Sequence, residues 1–578
     1  MAEHEFGPFR LDDARRTLER DGRLIPLYPK SFDLLAFMVR QTGHLLEKEH
    51  LLRALWPDVV VEENSLARAV SDIRKALAEH EGFVVTVPRR GYRFDCPVRP
   101  CESMGKAPRS ATRTIAVLPF RPLSDDEADQ QLAFGIADSL VARLSTIHQI
   151  SVRPTSSVLK YANDQQTPAA AGGELGVDVV LSGTLRKAGT RLRVNAQLID
   201  VRTDTALWAD TFDENAADVF TVEDSIAGRV ASALAPQLSA REREHLARRH
   251  TTSPEAYDAF LGGRYFWSRR TGGSLRTAAE YFKRAIALDD RFARAHAGLA
   301  EAYIALSVQH VTAHSLPPRE VIPPAREAAL KALSIDPLLP EAHAALAHIA
   351  LSYDWNWPLA EQGYLRALEL DPDCANAHHW YAIALSCRGR FEEALAEIRE
   401  TRRLDPLSII ASANLGFTYY RARRYAEAVS ALQATVSLDP AFHVAHYRLG
   451  LALQALGRFD EALAEFDEAI RLSDADPAAL AGKAHLLAET GKGVEARALI
   501  ERLERLSTER YVSALLIAEI FVPLNDDASA FAWLEKALEE RPTFLMSLRN
   551  NYKWDRLRGD ARFVDIERRV GIWSPTPR

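Results

Sequence analysis

Residues Trp56 to Phe94 read WPDVVVEENSLARAVSDIRKALAEHEGFVVTVPRRGYRF. Glu62 and Glu63 place negative charge where the positive end of a helix dipole lies, so a helix is expected to start near Glu62. Leu66, Val70, Ile73 and Leu77 then recur at steps of four, three and four. That spacing makes one apolar stripe on a helix of about 3.6 residues per turn. The opposite face carries Asn64, Arg68, Ser71, Asp72 and Lys75, with Arg74 on its flank. Phe83-Val84-Val85-Thr86-Val87 is rich in β-branched residues and reads as a strand. Pro88-Arg89-Arg90-Gly91 makes a turn with two cations at its tip, and Tyr92-Arg93-Phe94 returns as the paired strand.

A helix with a polar, cation-bearing outer face followed by a basic hairpin is what a winged helix-turn-helix presents to DNA. A charged helix face alone says little, because most such faces are merely solvated. The ordered series says more. Leu55-Trp56-Pro57, Val61-Glu62-Glu63-Asn64, Ile73-Arg74-Lys75-Ala76-Leu77 and Arg90-Gly91-Tyr92-Arg93-Phe94 closely resemble the OmpR/PhoB-type winged-helix DNA-binding domain over about the first hundred residues. The candidate DNA contacts are Asn64, Arg68, Ser71, Arg74, Lys75, Arg89, Arg90 and Tyr92. Arg68 and Lys75 are expected to read bases, and Arg89 and Arg90 to hold the backbone. Upstream, Glu5 to Leu27 reads as short strands with a turn at Asp21-Gly22, for which the resemblance implies a small antiparallel sheet. Ser31 to Gln41 is an apolar-striped helix closed by Gly43, and Lys48 to Leu55 a supporting helix.

A chain of 578 residues predicts several domains. Hydrophobic residues at 47% and charged residues at 26% are an ordinary soluble balance. The net charge of −7 argues against a generally basic nucleic-acid coat but leaves room for a local DNA-reading face. Cys96, Cys101, Cys374 and Cys387 form no CxxC pair and no zinc-spaced quartet, so they read as free thiols in a reducing compartment. No apolar run reaches membrane-spanning length. Relatives of the CadC/ToxR-like kind place a transmembrane helix just after the winged helix. Here Arg99 to Ser110 reads as a polar linker. No phosphoacceptor receiver domain precedes the winged helix in this sequence, so input is expected from the C-terminal side or from gene dosage.

From Thr112 to about Leu238 the pattern changes. Thr114 to Phe120 is an unbroken apolar run, expected as a strand buried on both faces. Leu132 to Leu144 is an amphipathic helix. Val177–Leu185, Arg191–Asp200 and Thr205–Phe212 are further strands, and Val222 to Leu234 a closing helix. The mixture means an α/β domain. Ile115 to Phe120, Leu175 to Asp178, Gln197 to Asp200 and Leu207-Trp208-Ala209 resemble the TolB N-terminal-like/FlgO-like domain. Gly172-Gly173-Glu174-Leu175-Gly176 matches neither a dinucleotide nor a P-loop motif and reads as turn glycines.

From Pro254 onward the chain repeats. Alanines stand at 394, 428, 462, 496 and 530, every thirty-four residues, and prolines at 372, 406, 440 and 542 keep the same period. Thirty-four is the tetratricopeptide period of two antiparallel helices. The alanine lets the two helices approach closely, and the proline ends the second one. Gly416 and Gly450 serve the first helix in the same way, while Gly389, Gly457 and Gly491 fall in turns. His296, His343, His378 and His446 recur at one repeat position, where packing is the better reading than a metal stripe, because adjacent repeats lie too far apart to share an ion. Asn376, His379, Phe417, Tyr420, Arg421 and Tyr447 fall on first helices, which line the concave groove in this family, and are expected to be exposed there as partner-binding residues.

The sequence therefore predicts a multidomain chain: a winged helix-turn-helix (α+β) at 1–98, a linker at 99–111, an α/β domain at 112–238, an all-α tetratricopeptide-repeat solenoid at 253–544 and a C-terminal cap at 545–578. The expected function is a cytoplasmic, phosphorelay-independent regulator that binds double-stranded DNA and takes a protein or peptide partner in its repeat groove. A homodimer is allowed; no cofactor, metal or membrane is required. An adaptor whose winged helix contacts protein, and a small-molecule sensor in the middle domain, stand as alternatives.

Overall fold

A computed structural model describes residues 3–572 except 13–16, 21–22, 26, 28, 56–62, 89, 101–112, 125, 146, 148, 159–160, 162–165, 216–218, 236–237, 240–249, 269–271, 309–314 and 407. The chain divides into two compact units, Met1–Ala111 and Thr112–Arg578.

The first unit opens with strands β1 (Glu3–Phe6), β2 (Phe9–Asp12), β3 (Thr17–Arg20) and β4 (Arg23–Ile25). Helix α1 (Pro29–Arg40), strand β5 (Leu45–Glu47) and helices α2 (Lys48–Leu55) and α3 (Glu63–Leu77) follow. A hairpin of β6 (Val84–Val87) and β7 (Gly91–Phe94) comes next, then β8 (Val98–Pro100). The first sheet has the order β4-β3-β2-β1-β8, and β5-β7-β6 makes a second. Arg99 and Pro100, expected in the linker, thus close the first sheet by pairing with β1. The stripe Leu66, Val70, Ile73, Leu77 is buried against Leu34, Leu35 and Met38 of α1 in one core.

In the second unit β9 (Arg113–Val117) pairs in parallel with β11 (Ile150–Val152) and β12 (Val179–Ala188), and β13 (Arg191–Asp200) and β14 (Thr205–Asn215) extend the sheet antiparallel. The two-residue β10 (Arg121–Pro122) pairs beside β12. Helices α4 (Glu127–Leu144) and α7 (Val219–Leu234) cover the face carrying Ile115 and Val117. Helices α5 (Thr155–Val158) and α6 (Pro168–Leu175) supply Val158, Ala171 and Leu175 to the face carrying Ala116 and Leu118. The run 114–120 is therefore buried on both faces, as its composition requires. Among the glycines after residue 171, a Cβ on Gly172 would lie 2.4 Å from Val201 and 2.6 Å from Val180, and Gly176 is the left-handed C-cap of α6. Those glycines pack and cap.

The repeats follow as helix pairs from Pro254–Ser268 to Asp527–Glu540. First helices of successive pairs pack on one another, from Ala293–Ser307 through Ile409–Arg421 to Ala514–Phe521. Ala394, Ala428, Ala462, Ala496 and Ala530 are fully buried. A Cβ on Gly416 would meet Leu432 at 2.5 Å, and one on Gly450 would meet Phe466 at 2.8 Å. The inter-helix turn needs a positive φ, which Gly389, Gly457 and Gly491 supply. In register with them Trp355, Arg423 and Asn525 take φ of 57°, 61° and 57°. The turn geometry thus outruns its glycine signature.

The α/β region does not stand apart from the repeats. Its α4 packs against Pro254–Ser268 so closely that a Cβ on Gly135 would lie 2.4 Å from Leu261. Arg264 Nε donates to Asp138 Oδ2 at 3.0 Å, and Tyr257 Oη donates to Glu223 at 2.8 Å. A second attachment lies far along the array. Arg153 Nη1 donates to the Arg403 carbonyl at 2.6 Å, and the Ser157 hydroxyl binds Asp405. The α/β domain at 112–238 is in this way joined to the array at two places.

Candidate nucleic-acid interface and repeat groove

The buried stripe of α3 turns Arg68, Ser71 and Lys75 outward, and all three are exposed. Among the described residues the Arg68, Lys75 and Arg90 side chains have no ion-pair partner, so their charges are available to a ligand. Asp72, the acid of this face, is half-buried and accepts a hydrogen bond from Ser31 Oγ at 3.3 Å. The exposed Arg90 sits at the hairpin turn, where its amide donates to the Val87 carbonyl at 3.1 Å. Arg89 and the side chain of Asn64 lie outside the described residues.

Two expected contacts are used inside the fold. Arg74 donates from Nη2 to the Val84 carbonyl and to Thr86 Oγ1, both at 2.7 Å, and from Nε to Val84 at 3.2 Å. It is a strut from α3 to the wing. Tyr92 is 8% exposed and belongs to the core, because it alternates inward on β7 beside the buried Leu46. Sequence reasoning missed why the motif needs Gly91. A Cβ there would lie 2.0 Å from the Leu46 carbonyl oxygen, so only glycine lets β7 pass β5.

The repeat groove differs from expectation. Tyr420, Arg421 and Tyr447 are 4%, 5% and 5% exposed, His379 is 7% exposed, and Phe417 is half-buried. For Phe417, Tyr420 and Arg421 the cover is the chain's own C-terminal segment. It packs on the last repeat pair, where Arg569 meets Glu535 at 2.8 Å and Arg556 donates to the Val522 carbonyl at 2.8 Å, and it also lies along the inner row of helices. Phe544 meets Phe417 edge-on at 6.2 Å, and Tyr552 meets Tyr420 and Tyr425, each at 6.1 Å. Asn550 Nδ2 donates to the Cys387 carbonyl at 2.7 Å, Arg388 donates to the Gly571 carbonyl at 3.0 Å, and Lys553 pairs with Glu519 at 3.1 Å. Asn376, half-buried, donates to Glu301 at 2.9 Å, away from these aromatics.

The recurring histidines share one role. Nε2 of His296, His343, His378 and His446 lies 2.9–3.0 Å from the carbonyl six residues earlier, closing the turn before each first helix. His378 and His446 also present Nδ1 to Glu397 and Glu465 at 2.5 and 2.6 Å. The Glu465 bond raises the His446 imidazole above its usual value; for His378 burial is the largest single influence and opposes the rise, but Glu397, the Pro372 carbonyl and Glu400 together outweigh it. Among the described residues no cluster could hold a metal ion, and no helix is long and apolar enough to cross a membrane.

Residues 22–94 match the family described as transcriptional regulatory protein, C terminal. Residues 111–229 match the HilA/YgeH-like transcriptional regulator, second domain. Tetratricopeptide repeat families match 364–396, 382–443, 413–479 and 447–510. The chain is 23% identical over 410 residues to the transcriptional regulator HilA of Salmonella typhimurium, covering 70% of this chain and 71% of that one. It is 31% identical over 96 residues to the transcriptional activator CadC of Escherichia coli, covering 16% and 19%. A Rhizobium meliloti protein carrying the name adenylate cyclase 3 is 34% identical over 190 residues, so this chain spans only about a third of that relative's length. In chain order, then, stand a winged-helix domain of the transcriptional-regulator C-terminal type, an α/β region like the second domain of HilA/YgeH-like regulators, and a tetratricopeptide-repeat array.

Proposed function

We propose that the chain is a cytoplasmic, sequence-specific DNA-binding transcription regulator whose repeat-bearing unit receives the input. The observation that carries this is the outer face of α3. Its apolar stripe is fully buried, Arg68 and Lys75 are exposed with no ion-pair partner among the described residues, and Arg90 of the wing is exposed in the same matched regulator domain. In this reading α3 lies in the major groove, Arg68 and Lys75 contact base edges, and Arg90, with Arg89, holds phosphates. No catalysis is part of it. A protein or peptide partner in the groove would take the place of the chain's own C-terminal segment. Two copies on adjacent half-sites would add avidity.

The test is titration of the full chain with genomic fragments, followed by anisotropy on the bound site and on random duplex. DNA binding through placed cations weakens steeply with salt. A folded chain with no duplex affinity at low salt would turn the reading toward an adaptor whose winged helix contacts protein.

A further inference from the structure

Phe417 on the inner face of Ile409–Arg421 is flanked by two guanidinium groups. Arg421 Cζ lies 4.5 Å from its ring centroid and Arg448 Cζ lies 4.7 Å away. Both arginines are buried, at 5% and 4% exposure. Arg421 donates from Nη1 to the Cys387 sulfur at 3.3 Å, and its buried Nη2 has no hydrogen-bond partner. Arg448 donates from Nη1 to Asn414 Oδ1 at 2.6 Å, and the Asn414 amide meets His379 Nε2. Neither arginine has a carboxylate partner among the described residues. Glu519, the acid that acts on the adjacent Tyr420 and Tyr447, is held by Lys553 at 3.1 Å and Asn551 at 2.8 Å.

Two like charges buried against one ring are unfavourable without a counter-charge. The faces of Phe417 and Phe544 offset only part of that cost. The strain shows on Arg448, whose guanidinium is pulled down to about 9 by burial and then by Arg421. The repeat scaffold does not demand these residues. The positions in register with Arg421 hold Cys387 and Ala455, and those in register with Arg448 hold Asn414 and Gly482. A guanidinium fork matches the oxygens of a carboxylate or phosphate group. We propose that Arg421 and Arg448 form a binding site, inside the repeat array, for the oxyanion group of a small molecule. The near-complete burial, with Phe544 5.2 Å from Arg421, favours a compact ligand over a polypeptide.

The site deepens the reading of the array as the input of the regulator, but its test does not use DNA, so either can fail alone. The full chain is melted and titrated calorimetrically at constant ionic strength with sodium phosphate, sodium malonate or sodium chloride. Phosphate or malonate, but not chloride, should raise the melting midpoint of the repeat-bearing unit saturably, and the two arms separate phosphate from carboxylate chemistry. Arg421→Met and Arg448→Met should each weaken that binding by about tenfold or more. Because each also removes an uncompensated buried charge, neither variant should melt below the parent in chloride. No saturable shift of the parent with either oxyanion overturns the proposal. So does an equal shift in the double variant, which marks a bulk salt effect.

Discussion

At the scale of single residues, three arginines of one small domain have three different surroundings, and the fold sets Arg74 apart from the other two. Arg68 is exposed and has no ion-pair partner among the described residues, Arg90 is exposed at the wing, and Arg74 is bonded to Val84 and Thr86. Arg68→Ala should cost about 1–3 kcal/mol on the specific site and little on random duplex, as loss of one base contact does. Arg90→Ala should weaken all sequences alike and lower the salt slope by about one. Arg74→Ala should instead lower stability by about 1 kcal/mol, read as an earlier urea midpoint for the winged helix. An Arg74→Ala protein with full stability but relaxed specificity would return that residue to the DNA contacts. The α3 stripe was legible because a helix has one period. Arg74 was not, because its partners lie on a strand that sequence spacing does not bring near. The histidines carry a second test. His446 is raised by Glu465, so its bond contributes fully below its ordinary value of 6.5 and is lost as pH rises through the raised one. His446→Gln should therefore cost more stability at about pH 6 than at about pH 9.

At the scale of elements, the seam between the α/β sheet and the first repeat rests on a buried carboxyl. Glu223 of α7 accepts from Ser139 of α4 at 2.7 Å and from Tyr257 of Pro254–Ser268 at 2.8 Å, with Arg143 4.0 Å away and committed to Asp224 at 2.5 Å. Burial pushes Glu223 up to about 7 despite those donors. The folded state then holds this proton while the unfolded chain releases it near 4.5. Stability therefore falls as pH rises from that value to about 7, and is flat above. Glu223→Gln keeps the shape without the charge, so it should raise the melting midpoint above neutrality and leave it nearly unchanged near pH 5. An equal effect at both would remove the charge from the account. In the wing, Gly91→Ala must displace the backbone of β5. A loss of about 1–3 kcal/mol or more is expected in the melting of the winged helix, with the repeat unit unaffected. The strands of the middle region were readable from their apolar runs, since β9 needs both faces covered. Their union with the array was not, because Asp138, Glu223, Arg153 and Ser157 look like ordinary surface residues until their partners are placed.

At the scale of the whole molecule, the thirty-four-residue period gave the array and its inner row, but periodicity ends where the most consequential contact begins. The off-period segment after Pro542 carries no signature of its destination. It reaches the inner face because Phe544, Leu545, Leu548, Trp554 and Phe563 need burial, and the aromatic first helices offer it. Each large apolar side chain so covered is worth about 1.5–3 kcal/mol. Polar fixings add register: Arg423 with Asp555 at 2.7 Å, and Asn550 on the Cys387 carbonyl. Ending the chain after Arg541 should uncover Phe417, Tyr420 and Arg421. The truncated protein is expected to keep the winged helix folded and its duplex affinity intact, because Met1–Ala111 is a separate compact unit. The repeat-bearing unit should melt earlier and bind a hydrophobic dye that the full chain excludes. Supplying residues 542–578 in trans as a peptide should reverse the dye binding saturably. If the truncated array melts as the parent does and stays dark, the segment is a dispensable appendage. The groove would then be open to a partner, as its register alone suggests.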